Sequence, residues 1–401
     1  MNFLFLTDEF YPNFGANSLL IKNIAEELVR RDHCVYVMPY GYDHALPEME
    51  AYNGIHIVRC IPSDGKEELI KQIRSGHVLT ATKIISKYLG ISFFAPKGLK
   101  TKENYGARGF LKNWIAENKI DGVISINCSV EISFPLLALR KRGKLPCKWI
   151  WYMIDPFESH AYYRTLMPQS KLRKLQKKIM RACDKVIMTD EIYRDTCVWE
   201  NFQNIPKPLV LKFPKIVSLE DQKSEEKYIL PKGCINVLCT GTRDDEVRDS
   251  TYALELCKQI REVNFHFVGV NWAENEVEQE DNLFFYPRQK KAVITNMQGQ
   301  ADFLLNIGNK NPNQIPSKVL EYINTGKPVV NICKSSCCPT QSLLEGYDAI
   351  HVYEAEALEL AKEKLQVYLH QAHPRLEEKA ILEKYREYTP GYFVEILLKL
   401  F

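Results

Sequence analysis

Several signals are missing from the 401-residue chain, and each absence removes a class of protein. No apolar run reaches the ~18 residues that a membrane-crossing helix needs. The opening MNFLFLTDEFYP has no basic leader, and Asp8 and Glu9 come too early for a secretory signal. None of the 12 cysteines forms a Cys-x-x-Cys pair, and the nearest grouping, Cys333, Cys337 and Cys338, does not have zinc-ligand spacing. Reduced, mostly buried thiols in a cytoplasmic protein explain the set. No Asp-x-Asp stands in a loop that would hold a divalent cation, so no metal is expected. There is no short-period repeat, no low-complexity tract and no nucleic-acid motif, so nucleic acid is not an expected partner.

What is present is ordinary globular composition, 45% hydrophobic and 26% charged. The length exceeds what one hydrophobic core supports, which predicts two domains. The net charge of +3 hides an asymmetry: residues 1–205 carry +7 and residues 206–401 carry −4. A basic first half suits a polyanion, an anionic membrane surface or anionic ligands; a solvated basic face is the plain alternative.

Short apolar runs alternate with helical periodicity along the chain. FLFLT, CVYVM, IHIVR, DGVISI, KWIWYMI and DKVIMTD read as strands of the first half, with helices near 17–31, 109–118 and 132–142 between them. Residues 66–105 are basic, punctuated by Gly and Lys, and read as an insertion or lid. Residues 206–233 carry Pro206, Pro208, Pro214 and Pro231, a linker composition. Alternation resumes with INVLCTG, FHFVGV, NLFFY, DFLLNIG and PVVNI. The expected architecture is therefore α/β, with two doubly wound Rossmann-like domains facing a cleft. The first spans 1–205 and the second 234–387. The apolar last helix, about 388–401, needs a groove to bury it.

The segment IPSKVLEYINTGKPVV, from Ile315 to Val330, carries the most chemistry. Ligands of doubly wound domains sit at the carboxyl ends of the strands, where the following helices aim their N-termini. Pro316 suits a helix start. Ser317 can cap the helix or donate to phosphate. Lys318 puts a full positive charge in the first turn, against the helix dipole, so local helix stability does not explain it. A bound diphosphate would. Glu321 lies one turn deeper, where a carboxylate can accept two hydrogen bonds from a ribose diol. Gly326 and Pro328 end the helix.

PSKVLEYINTGKPVV resembles the nucleotide-sugar signature of GT-B glycosyltransferases, specifically the retaining family four and its relatives. The resemblance implies that Glu321 holds the nucleotide ribose. The first of the family's two Glu falls at Asn313, a departure at the position that contacts the donor sugar. It extends along the chain. FLFLTDEFYPNFGANSLLIKNIAEELVRRDHCVYVM resembles the first strand, glycine loop and helix, with Gly15 at the close approach, Ala16 in place of a second glycine, and Asn17 as the expected cap. INVLCTGTRDDEVRDS resembles the first strand of the second domain, where Gly241 and either Arg243 or Arg248 would approach the diphosphate. Pairing with Asp244, Asp245 or Asp249 is the alternative for each arginine. Tyr286 falls where the family's loop meets the nucleobase. GYFVEILLKLF resembles the C-terminal helix that returns to the first domain.

Asp155, Glu158 and His160, in WYMIDPFESH, are the titratable candidates to take a proton from an acceptor hydroxyl; capping or structural pairing is the alternative for Asp155. Asn127 and Cys128 stand where the family often has a His. Lys171, Arg173, Lys174, Lys177, Lys178 and Arg181, interleaved with Leu172, Leu175, Ile179 and Met180, form a basic amphipathic helix. It suits an anionic lipid surface or an acceptor; a core helix with a solvated basic face is the alternative. The expected function is transfer of a sugar from a nucleotide diphosphate sugar, UDP or GDP type, to a saccharide or lipid-linked acceptor in bacterial surface polysaccharide synthesis. Retention is implied, with no cofactor, in a cytoplasmic protein that can sit on the inner membrane face. A non-catalytic subunit binding sugar nucleotide or a partner enzyme, and a GT-B nucleotide-sugar epimerase, are the other readings.

Overall fold

The computed structural model describes residues 1–12, 14–39, 45–59, 111–126, 133–155, 168–195, 205, 207–218, 224–245, 247–248, 250–310, 316, 318–334 and 338–401. The basic stretch 66–105 lies outside them. The chain forms two compact units, Met1–Pro214 with Pro390–Phe401, and Lys215–Thr389.

The first unit holds an eight-stranded sheet. Its strands are β1 (Asn2–Thr7), β2 (Cys34–Pro39), β3 (Met49–Tyr52), β4 (Ile55–Val58), β5 (Gly122–Ile126), β6 (Lys148–Met153), β7 (Lys185–Met188) and β8 (Leu209–Val210). They lie in the order β3-β4-β2-β1-β5-β6-β7-β8, parallel except for β3 against β4. Continuous apolar runs make this possible: β5 is buried throughout, as a parallel strand covered on both faces must be. Asn53 and Gly54, with φ of 49° and 77°, form the left-handed two-residue turn that joins β3 to β4. The helices are α1 (Ala16–Arg30), α2 (Ser133–Lys141), α3 (Gln169–Met180) and α4 (Asp190–Asp195), with a further helical run over 111–117. In α1, Leu20, Ile21, Ile24, Ala25 and Leu28 recur at helical spacing and are fully buried or nearly so. Asn17 does not cap this helix. The chain is extended at Gly15, whose carbonyl accepts the Ser18 hydroxyl and the Leu19 N–H, both at 3.1 Å, so α1 begins before Asn17.

The second unit holds seven strands: β9 (Ile235–Thr240), β10 (Val263–Val268), β11 (Glu278–Glu280), β12 (Leu283–Tyr286), β13 (Phe303–Ile307), β14 (Val329–Cys333) and β15 (Ala349–Tyr353). Their order is β11-β12-β10-β9-β13-β14-β15, parallel except for β11. Around them lie α5 (Ser250–Lys258), α6 (Lys291–Gln300), α7 (Lys318–Thr325), α8 (Pro339–Leu343), α9 (Leu358–Leu369) and α10 (Glu378–Lys384). The strand order reverses between β9 and β13. That reversal makes a crevice at their carboxyl ends, the place where open α/β sheets bind ligands.

Between the units, the proline-rich stretch from 206 contributes β8 to the first sheet, and Lys215 onward belongs to the second unit. The last helix, α11 (Pro390–Leu398), returns to the first unit and buries Phe393, Val394 and Leu397 in one core with Ile24 and Leu28. Each such side chain stabilises by about 1.5–3 kcal/mol. The Phe401 ring meets Phe3 edge-on at 5.1 Å between centroids. It fills the space beside Gly122, where any Cβ would come within 2.3 Å of it.

Candidate functional site

The second unit brings its site together through one buried tyrosine. Tyr322 is on α7 and Thr240 ends β9. The Tyr322 hydroxyl accepts the Thr240 N–H at 2.8 Å, lies 3.1 Å from the Thr240 hydroxyl and donates to the Thr240 carbonyl at 3.2 Å. Both residues are at most 2% exposed. Lys318 lies one turn before Tyr322 on the same helical face, so this anchor delivers Lys318 to the carboxyl end of β9.

The residue after Thr240 is Gly241, at φ 137°, a conformation that favours glycine. A Cβ there would lie 3.3 Å from Arg248 Nη1 and 4.0 Å from Lys318 Cγ. Gly241, Arg248 and Lys318 thus meet at the β9/β13 switch point. Two loops are stitched around them. Arg248 Nε donates to Asn309 Oδ1 at 3.0 Å, the Lys310 N–H to the Val247 carbonyl at 2.8 Å, and Lys310 Nζ to the Asp245 carbonyl at 2.5 Å. A pocket here is lined by Thr240, Gly241, Thr242, Arg243, Arg248 and Trp272 among others. Arg243 pairs with Asp245 at 3.6 Å and lies over the Trp272 ring at 5.6 Å. Both arginines line the pocket, but Arg248 is the one against Gly241.

Glu321 sits beside this group, with its side chain 12% exposed. Its carboxylate takes Lys318 Nζ at 3.0 Å and Lys291 Nζ at 2.5 Å. Burial opposes its ionisation, but the ammoniums of Lys318, Lys291 and Lys215 outweigh that and hold it well below the usual carboxylate range. Lys318 therefore has a partner within its own helix, which offsets the dipole penalty that the bare sequence leaves unexplained. Three lysines around one carboxylate still leave an excess of positive charge.

Other parts of the motif are structural. Gly326, at φ 72°, ends α7 against the Leu376 carbonyl, which a Cβ would approach to 2.2 Å. The Lys327 ammonium caps the end of α6, donating to the Gly299 carbonyl at 2.7 Å and to the Ala301 carbonyl. Burial, and then the charge of Arg375, pull it down to about 8. Pro316 is buried, and its carbonyl accepts the Val319 N–H at 3.1 Å.

No sequence profile of a known family matches the chain, and no curated protein matches it. Solved structures do. A sucrose-phosphate synthase from Thermosynechococcus elongatus superposes with a TM-score of 0.63 at 12% identity, covering 100% of this chain and 98% of that one. HepE from Anabaena, in complex with UDP-glucose, gives 0.60 at 12%, covering 100% of both chains. The lipopolysaccharide outer core galactosyltransferase WaaB, in its apo form, gives 0.56 at 13%, covering 100% of this chain and 99% of that one. The chain has the GT-B fold.

Within this GT-B chain the remaining candidates are scattered. His160, Asn313 and Ser317 lie outside the described residues, as do Glu158, Asn127 and Cys128. Asp155 is half-buried just past the carboxyl end of β6. Beside Gly15, the space for a Cβ is taken by the Glu9 carboxylate, 1.7 Å away. Tyr286 is 6% exposed and does not line the pocket. Its hydroxyl meets His266 Nδ1 at 3.0 Å, while His266 Nε2 meets Asn236 Oδ1 at 3.0 Å. That closed network suits a core role. The apolar side of α3 is not offered to lipid: Leu172, Ile179 and Met180 are fully buried in the first unit's core. Lys171, Lys174, Lys178 and Arg181 stay exposed, and Arg173 and Lys177 are half-buried. What survives of the expected membrane helix is its charge. Trp272, Lys291, Asn309 and Tyr322 were not legible as site residues, because their partners lie 30 or more residues away in the chain. The one available signal was the spacing of Tyr322 from Lys318.

Proposed function

We propose that the chain is a metal-independent glycosyltransferase that binds a UDP- or GDP-type sugar at the β9/β13 switch point and transfers the sugar to a saccharide or lipid-linked acceptor. The carrying observation is the convergence of Gly241, Arg248 and Lys318 there, with Glu321 one turn further along α7. The glycine removes the side chain that would block an anion. Arg248 and Lys318 supply the positive charge that pyrophosphate needs as it leaves, the moment at which its charge grows. Glu321 is the acceptor for the ribose hydroxyls, exchanging Lys291 or Lys318 for them. Solved structures of the same fold include one holding UDP-glucose.

Retention is the reading that the PSKVLEYINTGKPVV segment supports. In it the departing diphosphate guides the acceptor proton, and the chain's part is positioning. The exposed cations of α3 support an anionic acceptor surface, and bacterial surface polysaccharide synthesis on the cytoplasmic membrane face fits that charge. Among the described residues no helix is long and apolar enough to cross a membrane, so attachment would be peripheral and electrostatic.

A panel of nucleotide sugars screened by thermal shift tests the reading. A ligand at 100 times its Kd stabilises by about 2.7 kcal/mol, which raises the melting temperature measurably. No shift with any UDP- or GDP-sugar would refute the donor site. Binding without release of nucleoside diphosphate, with every acceptor offered, would make the chain a binding subunit. Conversion of the donor sugar without an acceptor would make it an epimerase.

A further inference from the structure

One peptide in the pocket is held from two sides, between the Gly241 and Arg243 N–H groups that donate to the Val268 and Val270 carbonyls, both at 2.9 Å. The Gly241 carbonyl accepts the indole N–H of Trp272 at 2.8 Å. Gly269, at φ 148°, packs its bare Cα on the same carbonyl; a Cβ there would stand 2.0 Å from the oxygen. Trp272 is itself clamped, 6% exposed, against Phe267 at 4.7 Å and Phe285 at 6.1 Å, with the Arg243 guanidinium over its ring. In a trans peptide the N–H points opposite to the C=O. Pinning the Gly241 carbonyl toward Trp272 therefore turns the Thr242 N–H to the other side. That N–H has no hydrogen-bond partner among the described residues, and Thr242 is exposed and lines the pocket with Arg248.

We propose that Trp272 is a positioning residue for pyrophosphate: its indole N–H pins the Gly241 carbonyl and so presents the Thr242 N–H, beside Arg248 and Lys318, to the anion. This rests on the donor-site reading above. Trp272 touches no phosphate oxygen. It fixes the direction of a backbone donor, which otherwise would have to be oriented at the moment of binding. Gly269 is part of the same device, because only a residue without Cβ lets the carbonyl lie where the indole reaches it.

The test titrates inorganic pyrophosphate, UDP, GDP, uridine and guanosine into wild type and Trp272→Phe by calorimetry. Phenylalanine keeps the ring packing and removes the N–H. Pyrophosphate, UDP and GDP should bind about tenfold more weakly to the variant, the loss of roughly one hydrogen bond to a charged group, while the nucleosides bind unchanged. In 15N-labelled wild type the Thr242 amide should shift on adding pyrophosphate, and in Trp272→Phe that shift should shrink. Gly269→Ala should reproduce the selective loss, which keeps the idea testable if Trp272→Phe folds poorly. Equal weakening of nucleosides and diphosphates, or an unmoved Thr242 amide in wild type that binds pyrophosphate, overturns the assignment to Trp272 alone. Wild type that binds neither pyrophosphate nor UDP nor GDP overturns the donor site as well.

Discussion

Replacing Tyr322 by phenylalanine removes one oxygen and should release α7 from β9. The ring stays packed, since Tyr322 is 1% exposed in the core. What goes is the acceptor of the Thr240 N–H at 2.8 Å and the donor to its carbonyl at 3.2 Å. Thr240 is 2% exposed, so water does not replace the lost partner without opening the structure. A buried donor left without a partner costs about 1–3 kcal/mol. Local opening at the end of β9 should become easier by that amount, so the Thr240 amide should exchange about 5- to 150-fold faster with deuterium. Peptide-resolved hydrogen exchange covering 238–244 reads it directly. Lys318 rides on the same helix turn, so UDP affinity should fall in parallel. Unchanged exchange at Thr240 would mean that the hydroxyl does not hold the helix, and the proposed delivery of Lys318 to Gly241 would lose its mechanism.

Three further outcomes are expected. Lys318→Ala should weaken UDP and pyrophosphate more than uridine by calorimetry; equal loss would remove Lys318 from the phosphate subsite. Glu321→Gln leaves the ammoniums of Lys318, Lys291 and Lys215 unneutralised. It should therefore cost about 1–3 kcal/mol in urea denaturation as well as nucleotide affinity, less than a fully buried pair because Lys291 is 42% exposed. An unaltered denaturation midpoint would contradict the cluster. His266 is fully buried, and burial pulls its imidazole down to about 4. The unfolded chain, near 6.5, then binds the proton first, so stability should be full above pH 6.5 and fall by up to about 1.4 kcal/mol per pH unit toward pH 4. His266→Gln should flatten that dependence, and an equal slope in both proteins would refute it.

The strands that build both sheets were legible because their chemistry is local. FLFLT, GVISI and FLLNI are apolar on both faces and short, which leaves few alternatives to a covered parallel strand. β11 was not legible: Glu278, Gln279 and Glu280 are all exposed, and only backbone pairing with Leu283–Phe285 makes them a strand. The helix α3 shows the limit most plainly. A stripe of Leu172, Ile179 and Met180 beside a basic face suits lipid or a protein core equally well, and periodicity carries no information about which surface will cover it. The core of the first unit covers it.

By itself the sequence determined the two alternating α/β halves, the glycines at 241 and 326, and a cation and an acid within one turn of a helix start, because periodicity, left-handed backbone and helix-end chemistry act over a few residues. The tertiary structure alone decided that Arg248 rather than Arg243 faces Gly241, that Lys291 joins Lys318 on Glu321, and that Trp272 pins the Gly241 carbonyl. Lys291 and Glu321 are 30 positions apart, Trp272 and Gly241 are 31, and Arg248 is held beside Gly241 by Asn309, 61 positions further on. Only the order of the parallel strands brings these loops to one edge.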